Sequence, residues 1–457
     1  MYYSIIKKSE LGGTLRLDAE YYQPEFLKNS KKIINFGSET LQSLSTISIT
    51  KGETPLWRGD DYLKEGIPFL RSENLISAGL DLSNIVFISK KVHDRMKRSK
   101  IFPNDILIAI VGATIGNTGM VTKNYSEYNS NQANAIIRPS NHDISNYLAI
   151  ILESKICQLQ IERLKGGGAR DNLDLHEVQS ILVPKPQKGL VEYCSSIIDQ
   201  VTILRKKSQD LYSQAESLLL EELGLKNFES EIKRELWSVI DLSVTKKVNR
   251  IDADYFQPKY QKLMSLIRAN GGITLSALAT IKKGFEPGSE AYQEEGKTFI
   301  RVSSISKDGV IDKDQKYLKE ELYEKLKKDY QPKVGEILLT KDASPGVAYV
   351  IKEFIEGIVS GGVLRVRMKE DIEPEYLALV INSIVGQLQV ERDVGGSVIM
   401  HWKPDQVKEM QIPILSKPIQ QKISELVRKS HEARKKAKGF LEEAKHKIEE
   451  LIENNQK

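Results

Sequence analysis

The stretch Arg16–Pro24, RLDAEYYQP, returns 234 residues later as Arg250–Pro258, RIDADYFQP. Other pairs follow in the same order. Gly66–Arg71 (GIPFLR) matches Gly296–Arg301 (GKTFIR) at an offset of 230, and Gln158–Arg163 (QLQIER) matches Gln387–Arg392 (QLQVER) at 229. Glycine clusters follow, Gly166–Gly168 and Gly395–Gly396, and then a valine six residues before a proline, Val178/Pro184 and Val407/Pro413. The slow drift of the offset marks short loop deletions in the second copy. A duplicated unit of this size is a domain, not a solenoid repeat. The framework segments agree, while the loops between them differ. Binding residues tend to sit on loops, so this pattern suggests two related binding surfaces with different targets. Neutral drift of surface loops is the alternative.

Each copy reads as mixed α/β. Short β-branched runs bounded by Gly, Pro, Asn and Asp predict strands at Pro68–Arg71, Ile85–Ile88, Ile106–Val111 and Asn134–Arg138. Their partners in copy two are Thr298–Val302, Glu336–Thr340 and Gly362–Arg367. Helical spacing of apolar residues predicts single helices over Tyr147–Leu164 and Tyr376–Arg392.

A heptad-patterned segment follows each copy. Leu190, Cys194, Ile197, Val201, Leu204, Ser208, Leu211, Ala215, Leu218 and Glu222 step by four and three alternately. Ile419, Ile423, Leu426, Ser430, Ala433, Ala437, Phe440, Ala444, Lys447 and Leu451 step identically. This is the a/d seam of a coiled coil. Lys447 and Glu222 break it near the ends, where Ile448 and Leu219 can take over. Each helix of ~33 residues spans roughly 50 Å. The expected arrangement is an antiparallel pair with a pseudo-two-fold axis, which places one domain at each end. Two amphipathic helices, each covering its own domain, are the alternative. The expected segments are a first domain over 1–186, a long helix over 187–226, a second domain over 227–415 and a second long helix over 416–457.

Bulk properties narrow the class. With 457 residues there is chain enough for several cores. A net charge of +5 permits a nucleic-acid partner without requiring one. The two cysteines, Cys157 and Cys194, form no C-x-x-C pair, so neither a zinc site nor a disulfide framework is readable. The start, MYYSIIKKSELGG, lacks the apolar core of a secretory signal. No run reaches ~18 apolar residues, so no transmembrane helix is expected. The expected location is cytoplasmic.

The order of domain, long helix, domain, long helix is accompanied by KGETP (Lys51–Pro55), GIPFLRSENL (Gly66–Leu75), NDIL (Asn104–Leu107), GATIGNTG (Gly112–Gly119) and SILVPKP (Ser180–Pro186). Across nearly its whole length the chain resembles the specificity subunit of Type I restriction-modification systems. The resemblance implies that each target-recognition domain reads one half of a bipartite DNA site. It implies that the helices set the spacer and dock two modification subunits, which carry S-adenosylmethionine and methylate adenine. A restriction/translocase subunit using ATP and magnesium joins for cleavage. Copy two departs at Lys341–Gly346 (KDASPG), where the first glycine is absent, and at Glu336 in place of an aspartate.

Chemistry of the chain's own is not readable. Nowhere is there a Pro-Pro pair, which the motif of an adenine methyltransferase needs, nor a dinucleotide-binding glycine fingerprint or a phosphate-binding loop. The six histidines are scattered without metal-ligand spacing. No cofactor or metal is therefore expected in this chain, and no catalysis. A self-sufficient DNA methyltransferase or nuclease, a specificity subunit of a Type IIB-like system, and a coiled-coil scaffold for other proteins are the competing readings.

Reading base edges needs Arg, Lys, Asn, Gln, Ser and Thr on loops. In copy one the candidates are Lys51, Thr54, Arg58, Arg71, Ser72, Asn74, Thr114, Asn131, Gln132 and Arg170. In copy two they are Lys283, Arg301, Ser303, Ser304, Lys341, Ser344, Ser360 and Lys403. Arg71 and Arg301 end the same strand in both copies; a structural ion pair is their alternative role. His401, beside Trp402 and Lys403, reads as either a DNA-facing or a packing residue. The basic run Lys90–Lys100 and its counterpart Lys319–Lys328 read as a solvated helix face or as phosphate contacts.

Overall fold

Pro24 and Pro258 each stand at the first position of a helix, where a missing N–H costs nothing. They open the helices Pro24–Phe36 and Pro258–Ala269. The computed structural model describes residues 5–7, 11, 16–55, 60–165, 172–228, 237, 239–293, 295–311, 315–394 and 400–454. It divides into two units, Met1–Leu204 with Lys436–Lys457, and Arg205–Lys435.

The first unit holds strands β1 (Ser38–Thr40), β2 (Thr50–Lys51), β3 (Ile67–Leu70), β4 (Leu75–Ile76), β5 (Gly79–Leu80), β6 (Val86–Ile88), β7 (Lys100–Ile101), β8 (Ile106–Ala109), β9 (Thr118–Met120), β10 (Tyr128–Ser130), β11 (Asn134–Ile137) and β12 (Leu182–Pro184). One sheet has the order β2-β11-β8-β9 and is antiparallel throughout. A second has the order β6-β3-β10-β7, with β3 and β10 parallel. β1 pairs with β12.

The second unit holds β13 (Ile273–Thr274), β14 (Ala279–Lys283), β15 (Tyr292–Gln293), β16 (Lys297–Ile300), β17 (Ile305–Ser306), β18 (Gly309–Val310), β19 (Lys316–Leu318), β20 (Ile337–Thr340), β21 (Ala348–Val350), β22 (Gly357–Val359), β23 (Val363–Met368) and β24 (Gln411–Ile412). Its sheets are β14-β23-β20-β21 and β15-β19-β16-β22, again with one parallel pair, β16 with β22. β13 pairs with β24. Mixed α/β architecture is thus built twice on one plan.

The repeated motifs are the fasteners of that plan. Buried Gln160 donates to Leu182 O at 2.7 Å and accepts from Leu182 N at 2.9 Å. Gln389 makes the same two bonds to Gln411, at 2.9 and 2.8 Å. Gln158 donates to Gly116 O, and Gln387 to Gly346 O. Tyr147 donates to Pro184 O at 2.6 Å, and Tyr376 to Pro413 O at 2.7 Å. The guanidinium of Arg163 lies over Tyr21, and that of Arg392 over Tyr255. Buried polar groups need partners, so each motif residue comes with its counterpart.

Two expectations need correction. The helices over Tyr147–Leu164 and Tyr376–Arg392 are each broken, into His142–Ile151 and Lys155–Leu164, and into Pro374–Asn382 and Ile384–Asp393. A serine makes each break. Ser154 Oγ bonds back to Ile151 O and Ser383 Oγ to Val380 O, and Ser383 Oγ also caps Val385 N. Such local bonds compete with the helix ladder.

The long helices are Lys188–Glu222 and Lys417–Asn454. Within the first unit, Leu190, Cys194, Ile197 and Val201 share a core with Ala437, Leu441, Ala444, Ile448 and Ile452. Lys447 Nζ sits 4.2 Å from the Tyr193 ring centroid. Within the second unit, Ala215, Leu219 and Leu223 share a core with Ile423 and Val427. Buried Ser430 donates to Ser208 O at 2.7 Å. The pairing is antiparallel, but the seam is not a strict heptad. Beyond Ala437 the expected Ala444 stays buried and Ile448 takes over from Lys447 as read, but Leu441 and Ile452 are buried in place of Phe440 and Leu451, and Lys447 and Leu451 face solvent. A straight helix with 3.6 residues per turn drifts by ~20° per heptad, which shifts the buried stripe by one residue.

Candidate nucleic-acid interface

Four strands of each unit end on one edge, and a fifth segment returns to it. In the first unit, parallel β3 and β10 leave their sheet together, and Asn131 N bonds Leu70 O at 3.1 Å. The chain after β2 crosses the same place: Gly52 N bonds Asn134 O and Glu53 N bonds Ser130 O. A Cβ on Gly52 would lie 2.0 Å from Asn131 O, so only glycine permits this approach. After β8, Ile110 N bonds Ala133 O, Leu173 N bonds Ile110 O, and Val111 bridges Asn172.

The second unit repeats the edge. Ser360 N bonds Ile300 O, Gly284 N bonds Val363 O, and Phe285 N bonds Val359 O. A Cβ on Gly284 would lie 2.1 Å from Ser360 O. Lys341 N bonds Gly362 O, Trp402 N bonds Lys341 O, and Asp342 bridges His401. Lys51 and Lys283, Arg71 and Arg301, and Asn131 and Ser360 therefore occupy matching stations.

In the first unit the edge gathers Lys51, Thr54, Arg71, Ser72, Asn131 and Gln132. Lys51 is exposed; the rest are half-buried. Arg71 follows β3 directly and its Nη2 pairs with Glu73 at 2.7 Å and with Asn84 O at 3.0 Å. The ion pair that the sequence left open is thus made. Asn131 Oδ1 accepts from Ala133 N and holds its own turn. Asn74 is buried: its Oδ1 accepts from Arg71 N and its Nδ2 donates to Asp81 O. Thr114 lies in the 3₁₀ turn Gly112–Thr114 beyond β8. Arg58, Arg170 and the clusters Gly166–Gly168 and Gly395–Gly396 lie outside the described residues.

In the second unit Lys283 is exposed and pairs with Glu286 at 3.1 Å. Arg301 follows β16, Ser303 is exposed beside it, and buried Ser304 accepts from Arg301 N. Ser344 is exposed, Ser360 is buried, and exposed Lys403 precedes the helix Pro404–Glu409. Lys341 is buried against the Asp342 carboxylate. Burial alone would raise Asp342, but hydrogen bonds from Lys341 and His401 outweigh it and hold the carboxyl below its ordinary range.

Where Gly112 sits at φ 76°, copy two places Ala343 at φ 58°. The departure in KDASPG thus keeps the left-handed turn with a strained residue. At the other departure, Glu336 Oε2 accepts from Lys333 N as Asp105 Oδ2 accepts from Phe102 N. The longer side chain still closes the turn before β20.

The basic runs are partly neutralised. Lys90 pairs with Glu127, Lys100 with Asp94, and Arg95 with Asp60. His93 is fully buried, donates through Nε2 to Glu127 and accepts through Nδ1 from Asn129, so its ring is a packing element. Lys327 pairs with Glu324.

Sequence reading missed the Asp342–His401 pair, because 59 residues separate the partners. It missed the glycine approaches at Gly52 and Gly284 for the same reason. KG recurs in both copies, as Lys51-Gly52 and Lys283-Gly284, and was the available signal. Among the described residues no group of three or more His, Cys, Asp or Glu could hold a metal ion, and no helix is long and apolar enough to cross a membrane. The edge presents hydrogen-bond donors and acceptors, which suits recognition of a polar surface.

Comparison with known proteins gives a consistent picture. The family model for the Type I restriction modification DNA specificity domain matches twice, at residues 35–212 and 239–436. The EcoBI specificity subunit of a Type I restriction enzyme from Escherichia coli is 34% identical over 163 residues, 35% of this chain. That match spans 31% of the relative's own length. Among solved structures, the S subunit of a Type I restriction-modification system from M. genitalium is 15% identical with a TM-score of 0.35, covering 92% of this chain and 95% of that one. The HsdS subunit from Thermoanaerobacter tengcongensis is 14% identical with a TM-score of 0.28, covering 89% and 95%.

Proposed function

From the premise that the chain belongs to the Type I restriction modification DNA specificity family, we propose that it is the sequence-reading subunit of such a complex, each unit reading one half of a split DNA target. The carrying observation is the duplicated edge. Backbone contacts there recur station by station, while the side chains differ: Asn131 against Ser360, Val111 against Asp342, Asn172 against His401. A constant frame with varied side chains is what two readers of different half-sites need. The long antiparallel helices set the gap between half-sites and dock two modification subunits. Those partners bring S-adenosylmethionine, and a restriction subunit brings ATP and magnesium, so this chain performs no bond-making of its own. The working location is the cytoplasm.

The test is co-expression with a modification subunit, followed by mapping of adenine methylation in the host DNA. The expected result is one motif of two short half-sites separated by a fixed unspecified gap. A contiguous motif, or methyl transfer by the purified chain alone, overturns the proposal. Deleting one heptad from a long helix should change the gap or abolish activity while leaving both half-sites as they were. An active variant with an unchanged gap contradicts the spacer role.

A further inference from the structure

Asp342 and His401 form a hydrogen-bonded pair on the second unit's edge that has no chemical counterpart among the described residues of the first unit. His401 Nδ1 lies 2.8 Å from Asp342 Oδ1. The imidazole side chain is 60% exposed and the carboxylate 21%. The ring therefore stands outward on a carboxylate seated below it. That seat is fixed from several sides. Asp342 Oδ2 is held by Lys341 Nζ. A Cβ on Gly362 would lie 3.4 Å from Asp342 Oδ2, so the carboxylate rests against bare backbone. Ala343 N bonds Met400 O at 3.0 Å, which ties the two segments together beside the pair. In the first unit the bridged residues are Val111 and Asn172; valine offers no acceptor with which to orient a neighbour.

We propose that His401 reads a base in the half-site of the second unit, accepting a hydrogen bond from an exocyclic amino group, and that Asp342 is its positioning residue. The inference rests on the DNA-reading function proposed above. A neutral imidazole that donates through Nδ1 to a carboxylate has its proton placed, which leaves Nε2 as a bare acceptor. With Nδ1 engaged by Asp342 and the side chain 60% exposed, Nε2 is the ring nitrogen left for a ligand. Acceptors on an edge of this kind meet the amino groups of adenine or cytosine in the major groove, or of guanine in the minor groove. Arg301, Ser303, Ser344 and Lys403 lie in the same set of strand ends and returning segments, and carry donors suited to neighbouring atoms of a target.

The experiment maps adenine methylation directed by the complex carrying His401→Ala, His401→Gln or Asp342→Asn. In His401→Ala one position of one half-site should lose about 10-fold in discrimination, while the other half-site and the gap stay unchanged. Asp342→Asn should relax that same position to a smaller extent. If His401→Ala directs no methylation, His401→Gln decides: it should move or relax the preference at a single position. Intact preference at every position in His401→Ala or His401→Gln overturns the proposal. So does an even loss across all sites with the slope of log affinity against log salt falling by about one, which marks a phosphate contact. A wild-type complex that shows no split motif defeats the DNA-reading function itself, and needs no variant to reveal it.

Discussion

Gln389→Met tests whether the repeated QLQ motif is a fastener. Gln389 is 1% exposed, and its amide donates to Gln411 O and accepts from Gln411 N. Methionine keeps the length and the helix propensity but none of the hydrogen bonding. Gln411 would keep a donor and an acceptor turned toward an apolar chain. Each buried polar group left without a partner costs about 1–3 kcal/mol, so the pair costs about 2–6 kcal/mol. A domain is stable by only about 5–15 kcal/mol. Urea unfolding followed by fluorescence reports on this unit through Trp402, which is 1% exposed, whereas Trp237 is 75% exposed. The expected outcome is a midpoint lowered by the equivalent of at least about 2 kcal/mol with an unchanged slope. A loss under about 0.5 kcal/mol would refute the reasoning, since water or a shifted strand would then be satisfying Gln411.

Ala343→Gly should stabilise the second unit by about 0.5–1 kcal/mol, because the φ of 58° suits glycine; a lowered urea midpoint contradicts the strain. Burial, then the charges of Lys352 and Arg434, push the His431 imidazole down to about 3. The folded state thus binds fewer protons than the unfolded state, whose histidine titrates near ~6.5. The stability it contributes is full above that value and is lost as pH falls toward 3, by on the order of 2–4 kcal/mol. His431→Asn should flatten that part of the stability-against-pH curve, and an unaltered curve counts against the assignment. Burial pushes the thiols of Cys157 and Cys194 up to about 12. A disulfide reagent at pH 8 should label neither until the chain unfolds; labelling of the native protein within minutes would disprove their burial.

Much of the frame was legible because duplication acts as an internal control. Two copies sharing Arg, Tyr and Gln at fixed offsets announce residues with structural partners, and Gln160, Gln389, Tyr147 and Tyr376 have them. The apolar period of the long helices revealed an antiparallel pair. It showed that Ile448 could replace Lys447, but not that the seam drifts to Leu441 and Ile452, because a heptad template and a straight helix part company only after several turns. Nor could spacing show that Ser154 and Ser383 interrupt helices, since serine serves equally inside a helix and at its cap. The edge itself was legible only in part. Arg71 and Arg301 were found because they end a repeated strand. The union of Gly52 with Asn131, or of Asp342 with His401, depends on chain segments that meet only in three dimensions.

The helix carrying each QLQ motif is gripped at two places by neighbouring side chains. In the first unit Gln158 holds Gly116 O, in the turn that follows β8, and Gln160 holds β12, four residues before the long helix departs. In the second unit Gln387 and Gln389 hold Gly346 O and β24 likewise. This is a bracket at the root of a cantilever. Within each unit the turn, the strand and the root of the shaft are therefore tied to one short helix, and a substitution in either glutamine would be felt at both ends of it.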